Sequence, residues 1–273
     1  MAATPHSRIP SSDDIPEQSF SFLCLNLWFG GKLWDELIPF LKATSPDILA
    51  AQEVYDGGDV ALPDHYRTVE QFQKLLGYPY VFFAPAYREA PLSGNVECGN
   101  AIFSRFPITE TKTVFYDVPY NPDRDATKEA PDYSYTPRNL QHATIDIGTD
   151  RTFHIFNTHG IWGFDPDDNP RRLAMADTIL EEIGSHKNVF LCGDFNVGET
   201  SKTIQKIEER LRNVFKGMLT MSFNMKQKTP SATFTPGVID MVFASRDLMI
   251  LDRQTPDVNV SDHRPLLCRV ALP

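Results

Sequence analysis

Short apolar runs that end in an acid, an amide or an imidazole recur along this 273-residue chain, and they constrain its fold more than any other feature. The first run, Ser19 to Trp28, alternates apolar and polar residues loosely, reads as a strand and carries Asn26 near its end. Gly30-Gly31 ends it, and Leu33, Leu37, Phe40 and Leu41 then form a helical stripe at i, i+4, i+7 and i+8. Pro46 closes that helix, and residues 47–52 read as a short buried strand with Glu53 at its C-terminal end. The same grammar continues. A helix is expected over 64–77, stopped by Gly77, with strands at Tyr80 to Phe83, Ala101 to Phe103 and Val114 to Tyr116. Paired strands are expected at Asn139 to Ile147 and Thr152 to Asn157 around Gly148-Thr149-Asp150. Helices are expected over 170–183, with Leu173, Ala176, Ile179, Leu180 and Ile183 inward, and over 201–215, with Ile204, Ile207, Leu211 and Phe215 inward. Val189 to Cys192, Ile239 to Ala244, Met249 to Asp252 and Leu266 to Ala271 complete the strands.

Strands and helices mixed along the whole length, with no break in composition, predict one α/β domain over residues 19–273. Residues 1–18, rich in Pro, Ser and acids, read as a disordered tail. The segment 118–137, rich in proline and without periodicity, reads as a functional or mobile loop. The four cysteines form no Cys-x-x-Cys pair, which argues against a cysteine-based zinc site and fits core residues in a reducing compartment. A net charge of −10 argues against a protein that grips nucleic acid through a basic surface. It does not exclude a nuclease, because bound metal ions can offset local negative charge where phosphate sits. With neither a signal-peptide core nor a run of about 18 apolar residues, the expected location is cytoplasmic, without integral membrane association.

The polar residues at the strand ends are of the types that phosphoryl transfer needs. Asn26, Glu53, Asp194, Asn196 and Asp262 are oxygen donors, which suit hard cations such as Mg²⁺ or Mn²⁺. His159 and His263 can donate hydrogen bonds to a phosphoryl oxygen, and Asp240 can orient one of them. Each residue also has a plainer reading. Asn26 fits a turn cap, Glu53 a solvated strand end and His159 a core histidine. Asp194 and Asn196 around Phe195 fit an Asx turn. Asp240 fits a pair with Arg246, and Ser261-Asp262 a turn cap. A serine hydrolase is excluded by the lack of Gly-x-Ser-x-Gly, and neighbours such as Ser261, Asp262 and His263 cannot converge as a triad if extended.

The ordered set of motifs goes further than any one residue. Leu25-Asn26-Leu27-Trp28, Gln52-Glu53, residues 99–105 (GNAIFSR), Asn157-Thr158-His159, Gly193-Asp194-Phe195-Asn196, Ile239-Asp240-Met241-Val242 and residues 261–265 (SDHRP) resemble the endonuclease/exonuclease/phosphatase superfamily, in the family's own order. The resemblance implies a four-layer α/β sandwich, two packed β-sheets flanked by helices. It implies that Glu53 holds a divalent metal (Mg²⁺ or Mn²⁺), with Asn26 beside it and Asp262 in support. It implies that Asp194 positions or deprotonates the attacking water and Asn196 orients it. His263, paired with Asp240, and His159 would face the phosphate, and Arg138 would sit where the family often sets a basic or phenolic group. Trp28 stands where the abasic-site branch usually has an acid, and that branch lacks a histidine at the His159 position. Both departures point toward the deoxyribonuclease, sphingomyelinase and phosphatase side. The expected activity is metal-dependent hydrolysis of a phosphodiester. DNA or RNA is favoured by Trp162, Tyr133 and Tyr135 as stacking groups and by Lys226 and Lys228 as a basic patch. A phospholipid or small-molecule phosphate is the alternative substrate. An inactive binding module on the same fold would be expected to lose an acid or a histidine, and none of the eight is lost.

Overall fold

The computed structural model describes residues 19–89, 95–130, 132–148, 152–228 and 237–271. The tail expected over 1–18 lies outside these residues, as does most of the expected turn at 148–150. The first sheet contains β1 (Ser19–Asn26), β2 (Ile48–Asp56), β3 (Tyr80–Glu89), β4 (Glu97–Ser104), β6 (Asn121–Arg124), β12 (Ile250–Gln254) and β13 (Leu266–Ala271). Its order is β12-β13-β1-β2-β4-β3-β6. The second contains β5 (Ile108–Phe115), β7 (Asn139–Asp146), β8 (Thr152–His159), β9 (Val189–Asp194), β10 (Arg212–Asn213) and β11 (Asp240–Ala244), in the order β10-β11-β9-β8-β7-β5. Helices α1 (Trp34–Thr44) and α2 (Thr68–Leu76) pack outside the first sheet, and α4 (Pro170–Ile183) and α5 (Lys202–Glu208) outside the second. A single turn, α3 (Ala126–Glu129), follows β6. This is the four-layer sandwich that the motifs imply. Among the described residues no helix is long and apolar enough to cross a membrane.

The two-residue period of a strand explains the layers. In β1, Phe20, Phe22 and Cys24 face the space between the sheets, while Leu23 and Leu25 face α1 and α2. In β9, Phe190 and Cys192 face inward and Val189 and Leu191 face α4 and α5. Both strands are buried on both faces, so their sequences read as nearly continuous apolar runs. Across the inner core Phe22 stacks on Phe190 with ring centroids 5.3 Å apart. Truncating either ring to alanine is expected to cost about 3–5 kcal/mol.

The structure moves several expected boundaries. β2 runs on to Asp56, so Glu53 lies inside a strand at a β-bulge and not at a strand end. The helix expected over 201–215 stops at Glu208, because Arg212 and Asn213 pair with Ala244 and Phe243 at the sheet edge. Leu211 and Phe215 are buried through that pairing instead of through a helical stripe. Helix α4 buries Arg172 and Met175 in place of Leu173 and Leu180. Its inner face is rotated because the Arg172 guanidinium is met by the carbonyls of Ile161, Asp165 and Asp167. The segment 118–137 is pinned: β6 pairs in parallel with β3, and Arg171 holds the Asp117 carboxylate and the Ser134 carbonyl.

Candidate active site

The side chains that face the inner core change character toward one end of the sandwich. Behind the apolar layer lies a buried amide layer. Gln52 donates to Asn157 Oδ1 at 2.6 Å, and Asn157 donates to Gln141 Oε1 at 2.9 Å and to the carbonyls of Ala51 and Ala101. Beyond it come the ionisable groups. Asn26, His159, Asp194 and Asp240 each continue the inward-facing parity of their strand, two residues past Cys24, Asn157 and Cys192 and two before Val242. Parallel pairing sets His159 beside Asp194, and antiparallel pairing sets Asp240 on its other side. The sheet thus sets three residues from remote parts of the sequence side by side.

Glu53 breaks that parity. Ile48, Ala50 and Gln52 face inward, so an unbroken strand would turn Glu53 outward, toward the helices. Its left-handed backbone (φ 53°) at the bulge re-aims the carboxylate into the cleft. The turn after β1 wraps around it: the Phe29 N–H donates to Glu53 Oε2 at 2.9 Å and the Gly30 N–H to its carbonyl at 2.7 Å. That turn is itself left-handed from Trp28 to Gly31, which sets Trp28 and Phe29 on the lip of the cleft.

Asp194 Oδ2 is the hub. Asn26 Nδ2 lies 3.2 Å from it and 3.3 Å from Glu53 Oε1, so one amide spans both carboxylates. His159 Nε2 lies 3.5 Å away and His263 Nε2 3.8 Å away. The other oxygen, Oδ1, accepts the Asn196 N–H at 2.9 Å, so the Asx turn read as the plain alternative is present within the site. Phe195 between them points into the core, while Asn196 donates to the Gly160 carbonyl at 3.1 Å. Gly193 makes the close approach of β8 and β9 possible: at φ 143° a Cβ there would stand 1.8 Å from the Thr158 carbonyl oxygen.

The two histidines are held in different charge states. His263 Nδ1 lies 2.8 Å from Asp240 Oδ2. Burial disfavours the cation, but the charges of Asp240, Asp262 and Asp194 outweigh it and lift the ring to about 10. His159 is pushed well below its ordinary value by burial and by the neighbouring Arg138 and His263 charges. Arg138 Nη1 lies 2.7 Å from His159 Nδ1, and a guanidinium can only donate, so the His159 proton sits on Nε2. Both rings therefore turn an Nε2–H toward the Asp194 side. Asp194 itself is pushed up to about 7 by burial and by the charge of Asp240.

Ser261 donates from Oγ to the Asn26 carbonyl at 2.6 Å and so ties the 261–263 loop to β1. Asp262 pairs with Lys228 Nζ at 2.5 Å and lies 3.9 Å from His263 Nε2. Glu53, Arg138, His159, Trp162, Asp194, Asn196, Asp262 and His263 line one cleft, with Asn26 and Asp240 directly behind it. Tyr133 meets Trp162 edge-to-face at 5.5 Å on the cleft wall. Tyr135 is off the wall, largely exposed under Arg171. Of the two lysines, Lys228 lines the cleft and Lys226 does not. Arg246 reaches the Glu208 carbonyl and leaves Asp240 to His263.

Sequence reasoning missed one wall. Arg124, only 4% exposed, bonds Glu89 at 2.8 Å and Glu129 at 3.0 Å and lies 4.0 Å from the Tyr87 ring centre. A lone arginine in a proline-rich stretch carries no periodicity that could have revealed it.

Comparison with known proteins agrees with this fold. An endonuclease/exonuclease/phosphatase from Beutenbergia cavernae superposes with TM-score 0.70, at 16% identity over 94% of this chain and 72% of that one. A mannosyl-6-phosphatase from Bacteroides thetaiotaomicron does so with TM-score 0.63, at 20% identity over 93% and 100%. The human Nocturnin catalytic domain with a bound sulfate gives TM-score 0.62, at 18% identity over 93% and 95%. A UPF0294 protein of Vibrio vulnificus is 25% identical over 141 residues; the match spans half of this chain and 46% of that relative. The sequence profile of the Endonuclease/Exonuclease/phosphatase family matches residues 23–263, across both sheets and every residue of the cleft named above, and this chain belongs to that family.

Proposed function

We propose that this chain is a divalent-metal-dependent phosphoesterase that hydrolyses its substrate by in-line attack of water on phosphorus. Members of its family are hydrolases of phosphoester bonds. The observation that carries the reading is the convergence of two imidazole Nε2 atoms, of His159 and His263, on one buried carboxylate oxygen, Asp194 Oδ2, beside a separate oxygen-donor wall. The donor chemistry of that wall fits a hard cation: the carboxylates of Glu53 and Asp262 offer oxygen ligands, as Mg²⁺ or Mn²⁺ prefers, while Asn26 turns its Nδ2 to Glu53 and its Oδ1 to the Trp28 N–H and so serves to orient the Glu53 ligand. When bound, such an ion polarises a phosphoryl oxygen and offsets the charge that builds on the leaving group.

The protein's own groups do the rest by position and charge. Asp194 takes the proton of the attacking water at Oδ2. Asn26 spaces Asp194 from Glu53, and Asn196 closes the turn that aims Asp194. His263, kept as a cation by Asp240, donates Nε2–H to a phosphoryl oxygen. His159 donates its own Nε2–H, and Arg138 holds that tautomer. Removing one such donor typically costs about 10²–10³ in kcat.

The cleft encloses about 320 Å³, at the small end of the range of roughly 300–1,000 Å³ for ligand pockets. Trp28, Phe29, Tyr133, Trp162 and Phe164 give it aromatic walls. Small size and aromatic walls support the phosphoester of a single nucleotide, or the end of a single strand, rather than a duplex. The second reading is a sugar phosphate; the same compactness favours it, as does the shared fold with the mannosyl-6-phosphatase. A screen with Mg²⁺ or Mn²⁺ over single- and double-stranded DNA, RNA, nucleotides, sugar phosphates, phospholipids and inositol phosphates tests the proposal. Turnover should stop in Asp194→Ala and His263→Ala. Full turnover in either variant, or turnover unaffected by EDTA, would refute it.

A further inference from the structure

A second cluster of metal-ligating side chains lies on the opposite face of the second sheet from the cleft. His142 on β7 and His154 on β8 are diagonal neighbours, since His142 pairs with Phe156 and Thr144 with His154. Both face outward, and His186, in the turn between α4 and β9, closes over them. The His154 and His186 rings are 4.0 Å apart, and His142 stacks on Phe156 at 4.2 Å. One ring nitrogen from each of the three histidines lies within 4.8 Å of the others. His154 is five residues before His159 on β8, about 17 Å away along the strand, so this cluster is separate from the cleft.

We propose that His142, His154 and His186 form a second metal site, specific for a borderline transition cation of the Zn²⁺ class. Three imidazoles suit Zn²⁺, Ni²⁺ or Cu²⁺ and not Mg²⁺, whose preference is for oxygen. Tetrahedral Zn²⁺ with bonds of about 2.0–2.1 Å sets its ligand nitrogens about 3.3 Å apart, close to the 3.0 Å between His142 Nε2 and His154 Nδ1, which share a hydrogen bond whose proton the ion would displace. Among the described residues no carboxylate forms an ion pair with any of the three. Glu110, opposite Thr144, brings a carboxylate to the same face, and the nearby Lys112 charge is met by Glu182 at 2.7 Å. His186 is exposed, so an ion can enter from solvent and keep a water as its fourth ligand. Binding would clasp the α4–β9 turn to the sheet.

The test is a Zn²⁺ titration of the full chain in millimolar Mg²⁺, read by a competing chromophoric chelator, with Co²⁺ absorption as a second readout. The parent and Glu53→Gln should each bind one Zn²⁺, and Zn²⁺ but not Mg²⁺ should raise Tm by about 5 °C at saturation. His186→Ala and the stacking-conservative His142→Phe should each weaken Zn²⁺ at least tenfold, and Mg²⁺-supported turnover should persist in His186→Ala. Zn²⁺ affinity unchanged in both variants would overturn the proposal. So would binding that is lost in Glu53→Gln and kept in His186→Ala, because the ion would then sit in the cleft.

Discussion

Replacing Asp240 by asparagine removes one buried charge and almost no volume. Asp240 Oδ2 lies 2.8 Å from His263 Nδ1, and both side chains are buried. At an effective dielectric of about 20, unit charges at that distance attract by about 6 kcal/mol. An imidazole moved from its ordinary 6.5 to about 10 favours its cation by about 5 kcal/mol. The attraction of Asp240 is thus as large as the whole net preference. Burial, the largest single influence, opposes the cation, while Asp262 and Asp194 add attraction. In Asp240→Asn the ring should therefore titrate near or below 6.5 and be neutral at pH 7.5. If His263 acts as a cationic donor, kcat should fall by about 10²–10³, the typical cost of one electrostatic donor. The activity that remains should rise as pH falls and the ring is recharged. NMR titration of the His263 ring in parent and variant gives the protonation change, and kcat against pH on a generic phosphodiester gives its consequence. A His263 pKa still near 10 in the variant would refute the electrostatic account. A ring that becomes neutral with full activity would refute the cationic role.

Glu53→Gln should lose most activity at limiting Mg²⁺ and recover part of it at high Mg²⁺, and EDTA should stop the parent until Mg²⁺ or Mn²⁺ is restored; activity assays across metal concentration check both. Gly193→Ala should destabilise the fold by about 3 kcal/mol or more, because the new Cβ meets the Thr158 carbonyl and φ 143° disfavours an L side chain; urea unfolding measures it. Arg124→Met leaves Glu89 buried without its partner and should cost about 3–5 kcal/mol, with KM raised as the Tyr87 wall loosens. His142 is held at about 4 and His154 also below its ordinary value, so above pH 6.5 these two rings are neutral in both states and add no slope to stability. Between about 6.5 and 4 the unfolded chain takes up protons first, so metal-free stability should fall there, and His154→Gln should flatten that slope in urea melts across pH.

The legible part of the fold was what one strand or helix decides alone. Apolar runs of two-residue period at Phe20, Phe22 and Cys24 and at Phe190 and Cys192 had to be buried strands, and helix 170–183 announced itself by its stripe. The residues of the candidate site were legible for the same reason: Asn26, His159, Asp194 and Asp240 break apolar runs at their ends, where a core position has no use for them. The motif order then tied them to one family.

Pairing decided the rest, because it depends on residues remote in sequence. Only the β8–β9–β11 register sets His159 and Asp240 on either side of Asp194. Glu53 reaches the cleft through a left-handed bulge that local periodicity predicts against, since strain there must be held by the turn at Phe29 and Gly30. Arg124 and Arg172 are buried because groups outside their own elements meet each guanidinium: carboxylates for one, backbone carbonyls for the other. Residues 211–215 left the helix because a sheet edge offered their backbone a partner. The same holds for His142, His154 and His186, ordinary residues on three separate elements until the second sheet and its turn bring them onto one face. Sequence by itself determined which side chains have chemistry to offer and which strands must be buried. Which of those side chains meet was decided by register and tertiary contact, because a hydrogen bond or a metal site depends on distance in space and not along the chain.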